Sequence, residues 1–373
     1  MYKLGIFIQL VALSNAGVML YDAPPQNFEK IVMDVDAGAD DAMALTLVIK
    51  NEYFSNGPPL IAVTCVNGNT NLKNVKINVL RTLQQLNRID IPVYTGANES
   101  LFGISATDSF FGTDGFGDFG GPTYQGLPRI QKEHAVTALI RLVTANPGQI
   151  TLMALGPLTN IALAIKLDPY FIKKLKNLVI LGGSVRGIGN VRPGIEFNAL
   201  VDPEALFIVL TKSHYTKVRM FPWDAVVNAN ISMDWRRNVL GKVDSDDIRF
   251  LNKAEAADPG PSWFQGDGMA AASYIWPDTI KEIRPLRVSA VPCGEARGGV
   301  LVDYFRANVN VSTSNVRLVL DFNAEEYKRQ LLKYFRMSKN EIPKRRINNK
   351  SNRTKRTTKI IEHDSSLNIE HDF

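Results

Sequence analysis

Short apolar segments alternate along most of this chain with longer segments whose apolar residues recur at helical spacing. Lys30 to Asp36 is the first apolar segment, and LIAVTCV, QITLMAL and NLVILGG have the same character. Residues 72–86 place apolar side chains three and four residues apart, which indicates a helix. This alternation predicts an α/β fold: a mostly parallel, doubly wound (Rossmann-like) sheet flanked by helices in a single large domain.

The pattern changes in two places. Residues 101–127 are rich in Gly, Phe and Asp and follow neither period, so we expect a long loop, and loops of this length are usually functional. After mixed helical segments that reach Trp276, the sequence predicts strands at 286–292, 299–304 and 316–322 and a last helix near Ala324.

Both ends of the chain differ from its centre. Residues 1–16 carry Lys3, an apolar stretch and then small residues, which favours a signal peptide over a buried strand or helix. We expect the folded domain to occupy 17–337 and a basic, disordered tail to occupy 338–373. Five Asn-x-Ser/Thr sequons fit a secreted, extracellular glycoprotein, and no later apolar segment has membrane-spanning length; the sequons begin at Asn98, Asn230, Asn310, Asn349 and Asn352.

The formal net charge of +6 is located mainly in the tail. Nine Lys or Arg residues and a single acid, Glu341, lie between Ser338 and Lys359, so the rest of the chain is slightly acidic. A tail of this kind could bind polyanions or the cell surface, or simply be solvated. The charge therefore gives no reason to expect nucleic acid on the folded body.

Two cysteines leave the redox state open. Cys65 lies in an apolar segment, which favours a buried free thiol, and a bridge to Cys293 is the alternative.

Four carboxylates within eight residues are the strongest chemical signal. Asp40 and Asp41 follow a short loop and could cap a helix, but Asp34 and Asp36 end an apolar segment, where capping does not explain them. Like charges this close need a cation or shared protons, and oxygen ligands favour Ca²⁺ or Mg²⁺. The segment DVDAGADDAMAL therefore predicts a metal site.

Other motifs fit less well. An EF-hand loop counted from Asp34 would need Gly at position 39 and Glu at 45, where the chain has Ala and Leu. A haloacid-dehalogenase-like phosphatase would have Thr where Gly38 stands. GFGDFG at 115–120 has no preceding strand and no following helix, so it is a chance dinucleotide-type match. No G-x-S-x-G occurs.

Polar residues also follow other predicted strands. Asn67 and Asn69 follow the second strand, Leu155 precedes Gly156 after another, and Gly182 leads toward Asn190 and Glu196. Ligands in such sheets bind beyond the carboxyl ends of the strands. We therefore expect one site there.

Taken together, these segments resemble the inosine-uridine-preferring nucleoside hydrolases and their purine nucleosidase relatives. DVDAGADDAMAL resembles the family's N-terminal fingerprint. The segments 154–164, 189–205 and 266–275 resemble, in order, its calcium-carbonyl turn, ribose-binding segment and last calcium carboxylate. The likeness extends from about Lys30 to about Phe322.

The resemblance implies a role for each matching residue. Ca²⁺ would be held by Asp36, Asp41, Asp267 and the carbonyl of Leu155. Asp36 would take a proton from a water on the ion, with Asp267 assisting catalysis. Asp34 would orient the loop. The remaining matches would bind substrate, mainly through ribose hydroxyls: Asp40, Asn69, Asn190, Glu196 and Asn198. For Asn190, Glu196 and Asn198, a role in turns and helix capping is the alternative.

Two departures from the family pattern concern the leaving group. Gly266 stands where the inosine-uridine-preferring type has a His acid, and Phe111-Gly112 stands where many members have His-Gly. The purine-specific branch stacks the base between aromatic rings instead. Aromatic residues near the right segments, each of them also a candidate for plain packing, are Phe111, Phe116, Trp223, Trp263 and Phe264.

The resulting hypothesis is a calcium-dependent, purine-leaning ribonucleoside hydrolase that acts on small-molecule nucleosides; a homo-oligomer is left open as its assembly state. The alternatives are a secreted protein that binds nucleoside or calcium without catalysis and, less favoured, the phosphatase. The joint presence of Asp36, Asp41 and Asp267 argues against a pure binder, which need not keep a base beside the metal.

Overall fold

The structure is a computed structural model that describes residues 29–104, 107–120, 130–258, 260–305 and 313–337. The predicted signal peptide and basic tail lie outside these residues. Within the described ranges, none of the helices has the length and apolar character needed to cross a membrane.

An eight-stranded sheet forms the centre of the molecule. Its spatial order is β3-β2-β1-β4-β5-β6-β10-β7, and every neighbouring pair is parallel except β10 with β7. The eight strands are β1 (Lys30–Val35), β2 (Leu60–Cys65), β3 (Val93–Thr95), β4 (Ile150–Ala154), β5 (Asn177–Leu181), β6 (Val218–Phe221), β7 (Ile280–Leu286) and β10 (Val316–Phe322). The predicted parallel, doubly wound sheet is confirmed.

Helices cover both faces of this sheet. On one face lie α1 (Ala39–Phe54), α2 (Leu72–Gln85), α8 (Trp223–Ala229), α9 (Met233–Asn238), α10 (Asp246–Ala254), α11 (Gly266–Ile275) and α12 (Ala324–Arg336). On the other lie α3 (Ala135–Ala145), α4 (Thr159–Leu167), α5 (Phe171–Lys174), α6 (Phe197–Val201) and α7 (Pro203–Lys212). Short 3₁₀ turns occupy Leu240–Lys242 and Pro277–Thr279.

Two buried cores result, one on each side of the sheet. In β1, Met33 and Val35 point into the core under α1 and α11, whereas Val32 points into the core under α3 and α4. A strand buried on both faces is apolar at nearly every position, which is why the segment KIVMDV lacks the alternation of a half-exposed strand.

One sheet strand was missed by the sequence analysis. β7 lies at the sheet edge, antiparallel to β10, and its sequence IKEIRPL contains charges and Pro285. Proline is tolerated on edge strands, where a missing backbone donor disrupts less of the ladder. The segment predicted as a strand at 286–292 instead contributes β8 (Val288–Ala290), which pairs with β9 (Val300–Val302) in a separate two-stranded sheet.

Two other expectations from the sequence agree with the described residues. The described parts of 101–127 contain neither helix nor strand, as expected for the long loop. Cys65 is a buried free thiol and Cys293 an exposed one, so no bridge joins them.

The strand order places a switch point beside β1. The chain builds outward from β1 to β2 and β3, then returns to the other edge of β1 to place β4. Crossover helices leave these neighbouring strands in opposite directions, which opens a crevice at their carboxyl ends. Asp36 follows one of those ends and Leu155 the other.

Candidate active site

Three buried carboxylates, two from one short segment and one from far along the chain, meet beside a cavity of about 620 Å³, which Asp36 and Asp267 line. Asp36 follows β1, Asp41 lies in the first turn of α1, and Asp267 lies in the first turn of α11. One oxygen of each carboxylate lies within 4.8 Å of the other two. The structure thus brings together the three carboxylates predicted to hold a metal ion.

The hydrogen bonds of this cluster leave room for a cation. Asp36 Oδ2 accepts the backbone N–H of Asn69 at 2.8 Å, and Asp41 Oδ2 accepts that of Gly38 at 2.9 Å. Oδ1 of Asp41 and Oδ1 of Asp267 are buried without a hydrogen-bond partner. Unpaired buried carboxylate oxygens are costly, and a hard divalent cation is the kind of group that satisfies several at once.

The same burial perturbs the ionisation of the cluster. Removal from water raises the pKa of Asp36, Asp41 and Asp267 well above the ordinary range, and neighbouring negative charges raise it further. The pKa of Asp40, also raised chiefly by burial, is about 7. A bound divalent cation would favour the ionised forms. The four carboxylates can therefore be ionised together at much lower cost with a cation between them than without one.

Two glycines let the chain pass close to Asp36. A Cβ at Gly68, after β2, would lie 2.0 Å from Asp36 Oδ2, and one at Gly156, after β4, would lie 2.8 Å from Asp36 Oδ1. Side chains at either turn would therefore displace the carboxylate.

Asp34 lies outside the cavity lining, in the layer that supports it. Its Oδ1 accepts hydrogen bonds from Asn160 Nδ2 at 2.8 Å and from the Thr64 hydroxyl, while burial raises its pKa to about 7. Asn160 also donates to the Cys65 carbonyl and accepts from the N–H of Ala97. Asp34 and Asn160 thus join β1, β2, α4 and the turn after β3; the sequence analysis did not single out Asn160.

The predicted ribose-binding residues line one wall of the cavity. Glu196 caps α6 by accepting the backbone N–H groups of Asn198 and Ala199, so the capping role is present together with the position in the cavity wall. Asn198 Nδ2 donates to the Leu155 carbonyl at 2.7 Å. Asn190 Oδ1 accepts the backbone N–H of the residue after Glu196.

Aromatic rings form another part of the cavity lining, here called the aromatic wall, made of Phe110, Phe111, Trp223 and Phe264. Trp223 and Phe264 lie with ring centroids 5.2 Å apart, and Phe111 meets Phe110 edge-on at 4.8 Å. Phe110 was not singled out from the sequence. Two other candidates belong to the core instead of the cavity: Phe116 and Trp263.

Gly266 lines the cavity and stands in the chain between two other lining residues, Phe264 and Asp267. A Cβ there would lie 3.6 Å from Asp40 Oδ2, which places Gly266 beside a predicted ribose ligand. No histidine is among the described cavity-lining residues. His134 caps α3 and His214 is exposed before β6, so neither reaches the leaving-group position.

Asp108 is a cavity-lining carboxylate that the sequence analysis did not identify. Its Oδ2 accepts a hydrogen bond from Asn69 Nδ2 at 3.3 Å, and its Oδ1 accepts one from the Phe110 N–H at 2.9 Å. Burial raises the pKa of its carboxyl. It lies in the aperiodic loop, where only the general rule that long loops carry function pointed to it.

The family model described as inosine-uridine preferring nucleoside hydrolase matches residues 31–329. The chain belongs to this family. The match includes every residue of the acidic cluster and of the cavity lining.

Curated relatives within the family differ in substrate. A probable uridine nucleosidase 1 from Oryza sativa subsp. japonica is 37% identical over 187 residues, which cover 49% of this chain and 55% of that protein. The pyrimidine-specific ribonucleoside hydrolase RihB of Escherichia coli (strain SE11) is 36% identical over 184 residues, 49% of this chain and 56% of RihB. The chain thus spans about half the length of the curated relatives it matches.

Solved structures match over a longer part of the chain. A plant nucleoside hydrolase aligns with a TM-score of 0.74 at 27% identity, covering 83% of this chain and 100% of its own. An inosine-guanosine nucleoside hydrolase aligns with a TM-score of 0.76 at 26% identity, covering 83% and 99%. The relatives therefore include proteins named for pyrimidine and for purine nucleosides.

Proposed function

We propose that this chain hydrolyses the N-glycosidic bond of ribonucleosides, with calcium bound by Asp36, Asp41 and Asp267. The observation that carries the proposal is the convergence of these three buried carboxylates beside a cavity whose lining also includes the four rings of the aromatic wall. Such a lining offers polar groups for ribose and apolar surface for a base. Family membership supports the same reaction class.

Calcium is the ion we propose because all available ligands are oxygens. Three carboxylates and the carbonyl of Leu155 offer a hard, flexible donor set without nitrogen or sulfur. The unpartnered oxygens of Asp41 and Asp267 support this choice.

The chemistry that the ion supplies when bound is a lowered pKa of a coordinated water. Asp36 accepts the proton. Its carboxylate is held on one side by the Asn69 N–H, which fixes the position of the accepting oxygens. Asp267 shares the cluster and helps to fix the site's geometry.

The residues around the ribose stabilise charge as well as bind it. Cleavage of the bond develops positive charge at C1′, and the carboxylates of Asp40 and Glu196 with the amide of Asn198 border the cavity where that charge forms. Asn190 and Glu196 serve the 5′-hydroxyl side. Asn69 lies near enough to Asp36 to contact the nucleophile or the ribose.

A preference for purines is the finer part of the proposal. It rests on the aromatic wall formed by Phe110, Phe111, Trp223 and Phe264 and on Gly266 in place of a histidine. A purine can accept a proton at N7 as it departs, and stacking on an aromatic face assists such a base. The names of the curated relatives favour pyrimidines instead, which makes substrate comparison decisive.

Release of reducing sugar from inosine, with and without a calcium chelator, tests the activity and its metal requirement together. We expect ribose release that the chelator abolishes and added Ca²⁺ restores. A protein that binds inosine yet releases no ribose in calcium would be a nucleoside binder and would contradict the proposal. Full activity in the presence of the chelator would support the hydrolase activity but contradict its dependence on calcium.

We also propose that the protein is secreted and glycosylated, on the basis of the first 16 residues and the sequons. Asn98 and Asn230, the sequon residues that the structure describes, are both exposed, which supports their availability to a glycan. Expression of the full chain in a secreting eukaryotic cell should deliver protein to the medium, lacking the first residues and shifting in mass on glycan removal. Retention of the protein inside the cell with an intact N-terminus would contradict it.

A further inference from the structure

Asp108 stands apart from the other carboxylates of the cavity. Asp36, Asp40, Glu196 and Asp267 each belong to a segment with a family motif, whereas Asp108 lies in the aperiodic loop between β3 and α3.

Its contacts link two functional parts of the site. One oxygen of Asp108 accepts from the side chain of Asn69, whose own backbone N–H donates to the base, Asp36. The other oxygen accepts from the N–H of Phe110, which begins the aromatic wall. A chain of hydrogen bonds therefore runs from the aromatic wall to the carboxylate that accepts the proton.

The Asn69 side chain has little freedom on its other side. A Cβ at Gly38 would lie 2.4 Å from Asn69 Oδ1, so the amide passes close over the backbone at the start of α1. With its carbonyl end confined there, the Nδ2 end is directed to Asp108. Removing that acceptor would leave the amide without the partner that fixes its orientation.

The downstream part of the loop is held without Asp108. Asp118 accepts the N–H groups of Thr113 and Asp114, and Phe116 is buried in the core against Phe119. Asp108 attaches the part of the loop beside Phe110 to Asn69. Its loss should therefore release that part without unfolding the loop.

We propose, building on the proposed hydrolase function, that Asp108 is a positioning residue that holds the Asn69 amide and the aromatic wall in register with Asp36. A carboxylate suits this position because both of its oxygens accept hydrogen bonds. An asparagine has one acceptor and one donor group. It could accept the Phe110 N–H and would then face the Asn69 amide with its own N–H₂, or accept from Asn69 and face the Phe110 N–H with its N–H₂. The residue acts through Asn69 and is not itself required to touch the reacting atoms.

A double-mutant cycle in the full-length calcium-bound protein tests the link. Asp108→Asn and Asn69→Ala should each lower kcat for inosine about 10- to 100-fold, as small misplacements of reacting groups do. The double variant should be no slower than Asn69→Ala alone, because both changes remove one interaction. Multiplying losses, or a wild-type kcat for Asp108→Asn, would overturn the proposal.

Asp118→Asn is the matched control, since Asp118 also accepts backbone N–H groups of this loop but does not line the cavity. We expect its kcat to stay within about threefold of wild type. An equal loss in both variants would mean that loop folding alone matters, which would contradict the role assigned to Asp108.

A readout independent of turnover separates this proposal from the hydrolase assignment. In hydrogen exchange, Asp108→Ala, which removes the acceptor altogether, should speed exchange of the Phe110 amide, while amides in β1 and α11 keep wild-type rates. Unchanged exchange at Phe110 in Asp108→Ala would overturn the positioning role even in an active enzyme. Absence of ribose release from the wild type, with faster exchange in Asp108→Ala, would instead count against the proposed reaction.

Discussion

Asp36 has the most crowded surroundings of the site's residues. Its two oxygens lie against the turns at Gly68 and Gly156, its Oδ2 accepts the Asn69 N–H, and Asp41 and Asp267 approach it from two helices. Crowding of this kind fixes one position for the carboxylate. In the proposed mechanism, a residue so placed would serve as metal ligand and base at once.

Replacing Asp36 by Asn should therefore lower kcat by a factor on the order of 10³ or more, because proton acceptance and a metal ligand are lost together. The measurement is single-substrate turnover of inosine in saturating calcium. Asp234→Asn, an exposed change on α9, should retain wild-type turnover and serves as control. Near-normal kcat in Asp36→Asn would exclude Asp36 as the base.

Base preference is also decided at single residues. In the proposed purine preference, Gly266 would leave uridine without the histidine acid for its departing base, whereas purines have N7 and the aromatic wall. Loss of a general acid costs about 10²–10⁴-fold, and this cost should fall mainly on uridine. We expect kcat/KM for inosine and adenosine to exceed that for uridine by such a factor; equal values for inosine and uridine would rule out the purine preference.

How far single residues could be predicted depended on their setting. Asp36 and Asp41 stand at a strand end and a helix start, which the hydrophobic pattern locates, whereas their meeting with Asp267 was implied only by the family resemblance. Asp108 and Phe110 lie in a loop without a period, and their side-chain directions depend on tertiary contacts that no local pattern encodes. Phe116, a candidate from the same loop, is buried in the core. The loop sequence therefore did not distinguish cavity positions from core positions.

At the scale of elements, the turns after β2 and β4 matter as much as the strands. Both turns carry a glycine against the Asp36 carboxylate, and neither glycine has a left-handed backbone. Glycine is therefore needed at these turns because a side chain would collide with Asp36, and not because of the backbone conformation. The parallel strands β2 and β4 end on either side of β1, which brings both turns against the residue that follows β1.

Gly68→Ala should lower kcat at least about tenfold, because its Cβ would lie 2.0 Å from Asp36 Oδ2 and must push the carboxylate or the turn aside. Calcium affinity should weaken in the same variant. Gly260→Ala is the control, since its nearest neighbour atom would lie at an ordinary 3.5 Å. Inosine turnover and calcium titration measure both effects; unchanged values for Gly68→Ala would contradict the geometry described for Asp36.

Elements with a clear period were predictable and the edge of the sheet was not. α2 and the strands β1, β2, β4 and β5 follow directly from apolar spacing. β7 escaped because an exposed edge strand tolerates charges and proline, which blur the pattern that identifies a buried strand. Pairing with β10, far along the chain, is what fixes its conformation.

At the scale of the whole molecule, the last helix closes the core over α1. Tyr327, Leu331, Tyr334 and Phe335 of α12 are all buried, and Tyr334 packs edge-on against Trp276 at 4.7 Å. Each such side chain contributes about 1.5–3 kcal/mol through burial. The folded body therefore extends through α12.

Ending the chain after Met337 should consequently leave kcat and KM for small nucleosides within about twofold of the full chain, because the cavity and α12 remain intact. Any binding to heparin should weaken and lose its salt sensitivity, since the basic tail is gone. Ending it after Asn323 instead removes α12 and should abolish cooperative folding. A folded but inactive Met337 truncation would show that the tail contributes to the site.

The position of β1 in the sheet also has a consequence for synthesis and refolding. β1 is among the first described segments to leave the ribosome, and β2 covers one of its edges soon afterwards, but the other edge waits for β4 at Ile150. At typical elongation rates this wait lasts on the order of ten seconds, during which an apolar strand has an unpaired edge. Non-local parallel pairing is slow in any case. Aggregation during expression should therefore be sensitive to temperature and to chaperones that shield the nascent chain before β4 arrives.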